Sequence, residues 1–317
     1  MKALFIITKT NEMHKHVESF TCLNGNSVKL YTYDHRGGEL PSNQALDSQI
    51  MAAAKDYSPD MIVYVGACAG NLPSAGLFRQ LRTEIAPTVL FISDAADDPW
   101  WPKIQEYEKE KSFTVQVALD GNPHWPLVGT QITALTPLDP KWFRDPPIPH
   151  EQRQVLFGFA GNPGGVYHRN GKVIGRRPMF DQMVKIGLKW RTRSAPHGDI
   201  NADAKTYKEA AEFMCQTRIM PNFAWTGSFE RRHVKGRVVE AGWACSMLLE
   251  FKDSPTKHWF TPGEDYVEFE KVEEVKRVVD RYANDPTASQ GFGERLRAKV
   301  IANHSPEKFW GRIFERL

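Results

Sequence analysis

The sequence predicts two α/β domains, each a doubly wound parallel sheet, and three observations predict them. A chain of 317 residues exceeds the usual size of a single hydrophobic core. Short apolar runs alternate with helix-like segments along both halves, the pattern of right-handed βαβ units. Between Pro137 and Pro149 the alternation stops in a stretch with five prolines, where too many backbone donors are missing for a strand or a helix. Boundaries follow at 1–140 and 151–300, with a linker at 141–150 and a last helix at 301–317.

Each element has a local reason. Residues 4–8 and 28–33 are β-rich, 61–66 is a continuous apolar run of the kind buried in parallel sheets, 88–93 reads as another buried strand and 113–118 as a further strand. Helical periodicity marks 43–55, 77–85 and 104–111. After the prolines, 155–159 is a strand that leads into the glycine-rich 161–165. Residues 178–188 read as a helix with proline near its first turn. Then come a short strand at 189–193, a helix at 207–216 and an extended segment at 218–223. A helix at 234–244, a strand at 246–251 and helices at 272–282, 294–303 and 306–316 complete the chain.

Composition narrows the class. With 41% hydrophobic and 25% charged residues, the chain reads as a folded soluble protein. The apolar run 3–7 is too short for a leader peptide's core, and no run approaches the length of a membrane span. Cys22, Cys68, Cys215 and Cys245 are scattered without a CxxC pair, so reduced, buried thiols and a cytoplasmic location are expected. The ten histidines show no metal-ligand spacing. Residues 1–150 hold 13 Lys and Arg against 17 Asp and Glu, a balance of −4; the rest hold 28 against 21, a balance of +7. An acidic half joined to a basic one suggests that the second half handles an anion, although charge drift between two solvated surfaces would look the same.

The segment 235–250 carries the most chemistry. Lys235, Gly236 and Arg237 open a helix, Glu240 lies one turn in, and an apolar strand follows. A helix N-terminus with free N–H groups and a positive dipole end attracts anions, and two basic side chains strengthen it. A carboxylate one turn along can accept from ribose hydroxyls. The bland alternative is a row of solvated helix charges. Gly161 and Asn162 follow a strand, where glycine lets backbone approach a ligand closely. Neither this loop nor 66–71 is GxGxxG. Arg176 and Arg177, at the next helix start, are either a diphosphate contact or a solvated basic face. Trp225 and Ser228 sit in a following loop. In the first half, Asp94, Asp97 and Asp98 follow a buried strand. There a carboxylate can orient or deprotonate a hydroxyl, or can serve as a turn and helix cap before Pro99. Trp100-Trp101 is either a sugar-stacking platform or core packing.

Residues 234–285 resemble the C-terminal signature of the spore-coat CgeB-like glycosyltransferases and, more loosely, of the group 1 glycosyltransferases. The matching pieces are Gly236-Arg237-Val-Val-Glu240-Ala, Ala244-Cys245-Ser246, Leu248-Leu249, Phe260-Thr-Pro-Gly-Glu-Asp-Tyr-Val267 and Asn284-Asp-Pro286. The 94–98 turn is similar to an Asp-Asp-Pro-Phe/Trp motif at the same place in those proteins, and the 222–228 loop to one that contacts the nucleotide. The resemblance implies a GT-B fold, two Rossmann-like domains facing each other across a cleft, with the last helix at 301–317 crossing back to the first domain. It also implies transfer of a hexose or pentose from a nucleotide sugar, such as a UDP-sugar, to a hydroxyl. Lys235 and Arg237 would meet the diphosphate, Glu240 the ribose, and Asp94 or Asp98 the acceptor. Gly161, Asn162, Arg177 and Ser228 would line the donor site. The nucleotide sugar is then a co-substrate, and neither metal nor other cofactor is expected. The acceptor would be a glycan or small molecule, with protein or modified DNA as weaker options. An inactive scaffold and a nucleotide-sugar epimerase are the rival expectations. One departure stands out: retaining group 1 members carry a glutamate eight residues before the helix glutamate, where this chain has Arg232, with Glu230 two residues off register.

Overall fold

The computed structural model describes residues 1–8, 14–33, 43–66, 72–92, 101–119, 131–161, 167–169, 172–174, 176–189, 191–192, 207–224 and 232–317. They fall into two compact units, one built from Met1–Asp139 with Ser305–Leu317, the other from Pro140–Trp225 with Arg232–His304.

In the first unit, β1 (Lys2–Thr8), β2 (Ser27–Tyr33), β3 (Met61–Gly66), β4 (Thr88–Ile92), β5 (Val115–Ala118) and β6 (Gln131–Thr133) form one parallel sheet in the order β2-β1-β3-β4-β5-β6. Side chains of a strand alternate between faces, so β1 sends Leu4 and Ile6 to one side and Ala3, Phe5 and Ile7 to the other. The first face is covered by α2 (Asn43–Tyr57), α3 (Ala75–Glu84) and α4 (Trp101–Lys109) through Ile50, Phe78, Leu81, Ile104 and Tyr107. The second is covered by α1 (His14–Thr21) and by the last helix of the chain, Pro306–Phe314. Trp310 of that helix is fully buried against Phe20, with ring centroids 4.9 Å apart, and its Nε1 donates to Ser19 Oγ at 3.2 Å.

The second unit has a parallel sheet in the order β10-β7-β11-β12-β13. Its strands are β7 (Val155–Phe159), β10 (Arg191–Thr192), β11 (Thr217–Asn222), β12 (Met247–Phe251) and β13 (Val267–Phe269), beside an antiparallel hairpin of β8 (Tyr167–Arg169) and β9 (Lys172–Ile174). One face carries α5 (Arg176–Lys185) and α8 (Val272–Ala283) on Phe157, Phe159, Ile219 and Leu249. The remaining helices are α6 (Tyr207–Cys215), α7 (Gly236–Trp243) and α9 (Pro286–His304), and α10 denotes Pro306–Phe314 of the first unit. A Cβ on Gly242 would lie 2.6 Å from a methyl of Val300, so α7 and α9 pack almost backbone to backbone.

Several elements differ from the sequence reading. Helix α3 starts two residues before the expected Leu77 because Ser74 caps it, its side chain accepting from Leu77 N at 3.0 Å. Strands β6, β8, β9 and β13 and helix α1 are too short or too polar to show in periodicity. Helix α9 begins at Pro286, eight residues before the expected start, through Gly291 and Gly293, which read as breakers. The proline-rich stretch, expected as a linker, has side chains engaged by its surroundings. Arg144 pairs with Glu212 at 2.6 Å, Asp145 with Arg297 at 3.0 Å, and His150 Nδ1 meets Ser289 Oγ at 2.8 Å, all within the second unit. Of the thiols expected to be buried, Cys215 and Cys245 are, whereas Cys22 is exposed and Cys68 lies outside the described residues.

Candidate functional site

In the parallel sheet of the second unit, β7 ends at Phe159 and runs into Ala160 and Gly161 at the carboxyl edge, where open α/β sheets bind ligands. Helix α7 follows β11, so its N-terminus emerges at the same edge. Lys235 is the N-cap residue in extended backbone, Gly236 the first helical residue and Arg237 the second; the first turn holds no acid. The expected start at Val234 is therefore two residues early. Free N–H groups, the positive dipole end and two cations converge there, an arrangement that favours an anion.

Arg237 is fixed by β7. Its guanidinium carbon lies 4.5 Å from the centroid of the Phe159 ring, a cation–π contact. Gly161 has a φ of +151° and a Cβ there would lie 2.6 Å from an Arg237 guanidinium nitrogen. Two predicted site residues, Gly161 and Arg237, are thus in direct contact, and Phe159, which periodicity marks only as core, supplies the ring on which the guanidinium stacks. Glu240, one turn along, is 4% exposed, which excludes a solvated helix charge.

The other candidates are placed differently. Arg177 lies on the exposed side of α5 and pairs with Asp181 at 2.9 Å, an i,i+4 pair. Arg232, at the register of the missing glutamate, donates to the Lys252 carbonyl at 2.7 Å and lies 3.6 Å from Asp253. Trp101 opens α4 and packs against the core of the first unit. Asp94, Asp97, Asp98, Trp100, Asn162, Trp225, Glu230 and Ser228 lie outside the described residues. Gly263 takes φ +79° in the expected turn, and its N–H donates to the Tyr266 carbonyl at 2.8 Å. Among the described residues no group of three or more His, Cys, Asp or Glu is disposed to hold a metal ion, and no helix is long and apolar enough to cross a membrane.

A second polar cluster, which sequence reasoning missed, lies farther along the same edge. Glu250 of β12 is fully buried, and its Oε2 accepts from Asn222 Nδ2 and from Thr256 Oγ1, each at 2.9 Å. Its Oε1 accepts from the Phe251 N–H at 3.0 Å. Burial pushes this carboxyl up to about 7 against the pull of those donors. Sequence shows it only as one acid at the end of an apolar strand.

Comparison with solved structures identifies the architecture. Sucrose-phosphate synthase from Thermosynechococcus elongatus superposes with a TM-score of 0.65 at 10% identity, over 100% of this chain and 99% of the other. Anabaena Alr3699/HepE in complex with UDP gives 0.62 at 10% identity, over 99% of both chains. The fold is GT-B. The same GT-B architecture is shared with UDP-GlcNAc 2-epimerase from Neisseria meningitidis bound to UDP-GlcNAc, at a TM-score of 0.56 and 10% identity over 100% of each chain. At such identities the likeness concerns the GT-B fold alone. Residues 166–315 match the family model described as glycosyl transferase-like, a segment that includes Lys235, Arg237 and Glu240. No curated protein matches the sequence.

Proposed function

We propose that the chain is a glycosyltransferase of the group 1 kind, CgeB-like in its signature, that moves a sugar from a nucleoside diphosphate to a hydroxyl acceptor. The observation that carries this reading is Arg237, held over Phe159 and against Gly161 at the N-terminus of α7, within the segment that matches the glycosyl transferase-like model. In the reaction the bond from anomeric carbon to diphosphate oxygen breaks, the acceptor oxygen bonds to that carbon, and the acceptor proton passes to a base. Charge develops on the departing diphosphate. Lys235, Arg237 and the helix N-terminus neutralise it, the kind of electrostatic term that usually dominates such catalysis. These groups do the work that a divalent metal does elsewhere, so transfer proceeds without one. Glu240 holds the ribose, while Gly161 and Asn162 bring backbone close to the nucleotide. Ser228 and Arg177 are further donor contacts, and Asp94 or Asp98 orients or deprotonates the acceptor. The donor is a nucleotide sugar, UDP-sugars first among them, and the protein works in the cytoplasm.

The test is a mass-spectrometric screen of nucleotide sugars with and without hydroxyl acceptors. Transfer or slow donor hydrolysis supports the proposal. An isomerised donor without acceptor would make the protein an epimerase, and no turnover with intact nucleotide binding would make it a binding scaffold. Asp94→Asn and Asp98→Asn, made separately, should lower transfer by about 10²–10⁴-fold in one of them with donor affinity spared. Equal losses of turnover and affinity would remove the acceptor role.

A further inference from the structure

The reading of α7 as the diphosphate-binding helix leaves unexplained a cation buried at its opposite end. Arg153 is 4% exposed, and its Nη2 donates to the Ala244 carbonyl, the C-cap of α7, at 2.9 Å. Its Nη1 donates to the Thr217 carbonyl at 2.7 Å and to Ser246 Oγ at 3.1 Å, and Nε donates to the Ile148 carbonyl at 2.9 Å. Among the described residues no carboxylate accepts from it. Burial pushes the guanidinium down to about 10, which leaves it charged at neutral pH. A buried charge without a counter-ion is costly, and the carbonyl end of a helix dipole is one of the few places that offsets the cost.

The neighbouring carbonyls of this helix end are also engaged. Arg297 Nη1 donates to the Trp243 carbonyl at 2.9 Å, but Arg297 is ion-paired to Asp145. His150 meets the Cys245 carbonyl through Nε2 at 2.9 Å, and burial holds that imidazole near 4, hence neutral. Among the described residues that bond these carbonyls, Arg153 is therefore the cation whose charge no acid balances. Its place in the chain matters too. It lies two residues before β7, the strand that ends in Phe159 and leads to Gly161, and it bonds the far end of the helix that carries Arg237. Arg153 thus joins the chain just before β7 to the far end of α7, the two elements whose opposite ends form the Arg237–Phe159 contact.

We propose that Arg153 is a positioning residue for diphosphate binding, which it serves by clamping the carboxyl end of α7 and by supplying a buried positive charge behind it. Helix α7 has eight residues, so its ends are about 12 Å apart, and a hydrogen-bond length at each end puts an anion at its N-terminus about 17 Å from Arg153. At that distance and an effective dielectric of about 20, one unit charge changes the affinity for a singly charged anion about fivefold, and for a diphosphate, which carries more than one charge, by about tenfold or more. The neutral parts of the nucleotide do not feel it.

The test uses the full chain and isothermal titration with inorganic pyrophosphate, with the tightest of UDP, GDP and ADP, and with its parent nucleoside. Arg153→Met should lower pyrophosphate and diphosphate affinity about tenfold while nucleoside affinity stays within twofold, and Arg153→Lys, which keeps the charge, should restore most of it. If the Met variant does not fold, Arg153→Gln takes its place, since its amide retains a donor to the carbonyls. Equal pyrophosphate affinities in the Lys and the neutral variant would overturn the proposal, and so would parallel losses of nucleoside and pyrophosphate. Arg237→Ala serves as the reference. If it too leaves pyrophosphate affinity unchanged, the donor-site reading itself falls; if it weakens binding while Arg153→Met does not, only the role of Arg153 falls.

Discussion

The guanidinium of Arg237 stands over the ring of Phe159 at 4.5 Å, and a glycine two residues beyond that phenylalanine leaves room for it. The stack orders a long side chain before any ligand arrives, so less rotamer entropy is lost on binding. Arg237→Ala should weaken nucleoside diphosphate binding by about 1.5–3 kcal/mol, the worth of a hydrogen bond to a charged group. Gly161→Ala should weaken it as well, because the new Cβ displaces the guanidinium and the backbone at φ +151° suits glycine. Titration calorimetry reads both, and wild-type affinity in the Gly161 variant would show that the contact is incidental.

Glu240→Gln keeps the shape of a buried side chain and removes its charge. If Glu240 holds the ribose, the variant should lose discrimination between ribonucleotide and deoxyribonucleotide donors, measured as a ratio of kcat/KM values. Retained discrimination with a lower Tm would mark the residue as structural.

The turn after α7 depends on a close approach of backbones. Cys245 has φ +55°, a left-handed conformation that costs a non-glycine residue about 1 kcal/mol, and a Cβ on Gly293 would lie 2.3 Å from its carbonyl oxygen. Gly293→Ala should therefore destabilise the protein by about 1–3 kcal/mol by overpacking. Cys245→Gly should be neutral or slightly stabilising. Thermal unfolding checks both, and an unchanged Tm for Gly293→Ala would mean that α9 moves away freely.

Buried titratable groups give the two units opposite pH responses. Burial, with help from Lys15, pushes His16 in the first unit down from 6.5 to about 3. The unfolded chain takes up that proton first, so this contribution is full above pH 6.5 and is lost as pH falls towards 3, by about 1.4 kcal/mol per pH unit. Glu250 in the second unit is raised from 4.5 to about 7, so its contribution is full below 4.5 and fades as pH rises through 7. His16→Leu should flatten the acid limb of the stability curve and Glu250→Gln the neutral limb, as read from urea midpoints between pH 4 and 8. Unaltered slopes would mean that neither group is neutral in the folded protein.

The parallel strands and most helices were legible because their signals are local. Runs such as Met61–Gly66 and Thr88–Ile92 are apolar enough to need burial on both faces, whatever surrounds them. The charge shift between the halves, the basic opening of α7 and its acid one turn in are also properties of the chain alone. Tertiary contact decided the rest. Helix α9 runs through Gly291 and Gly293 because Gly293 must pass the Cys245 carbonyl, a need set 48 positions away. Arg153, an ordinary basic residue in sequence, became a buried cation because the ends of α7 and β11 meet around it. Phe159 became the platform of Arg237, 78 positions later in the chain, because β7 and α7 reach the same sheet edge. Periodicity records which way a residue faces within its own element; which distant atom it then meets is settled only when the elements pack.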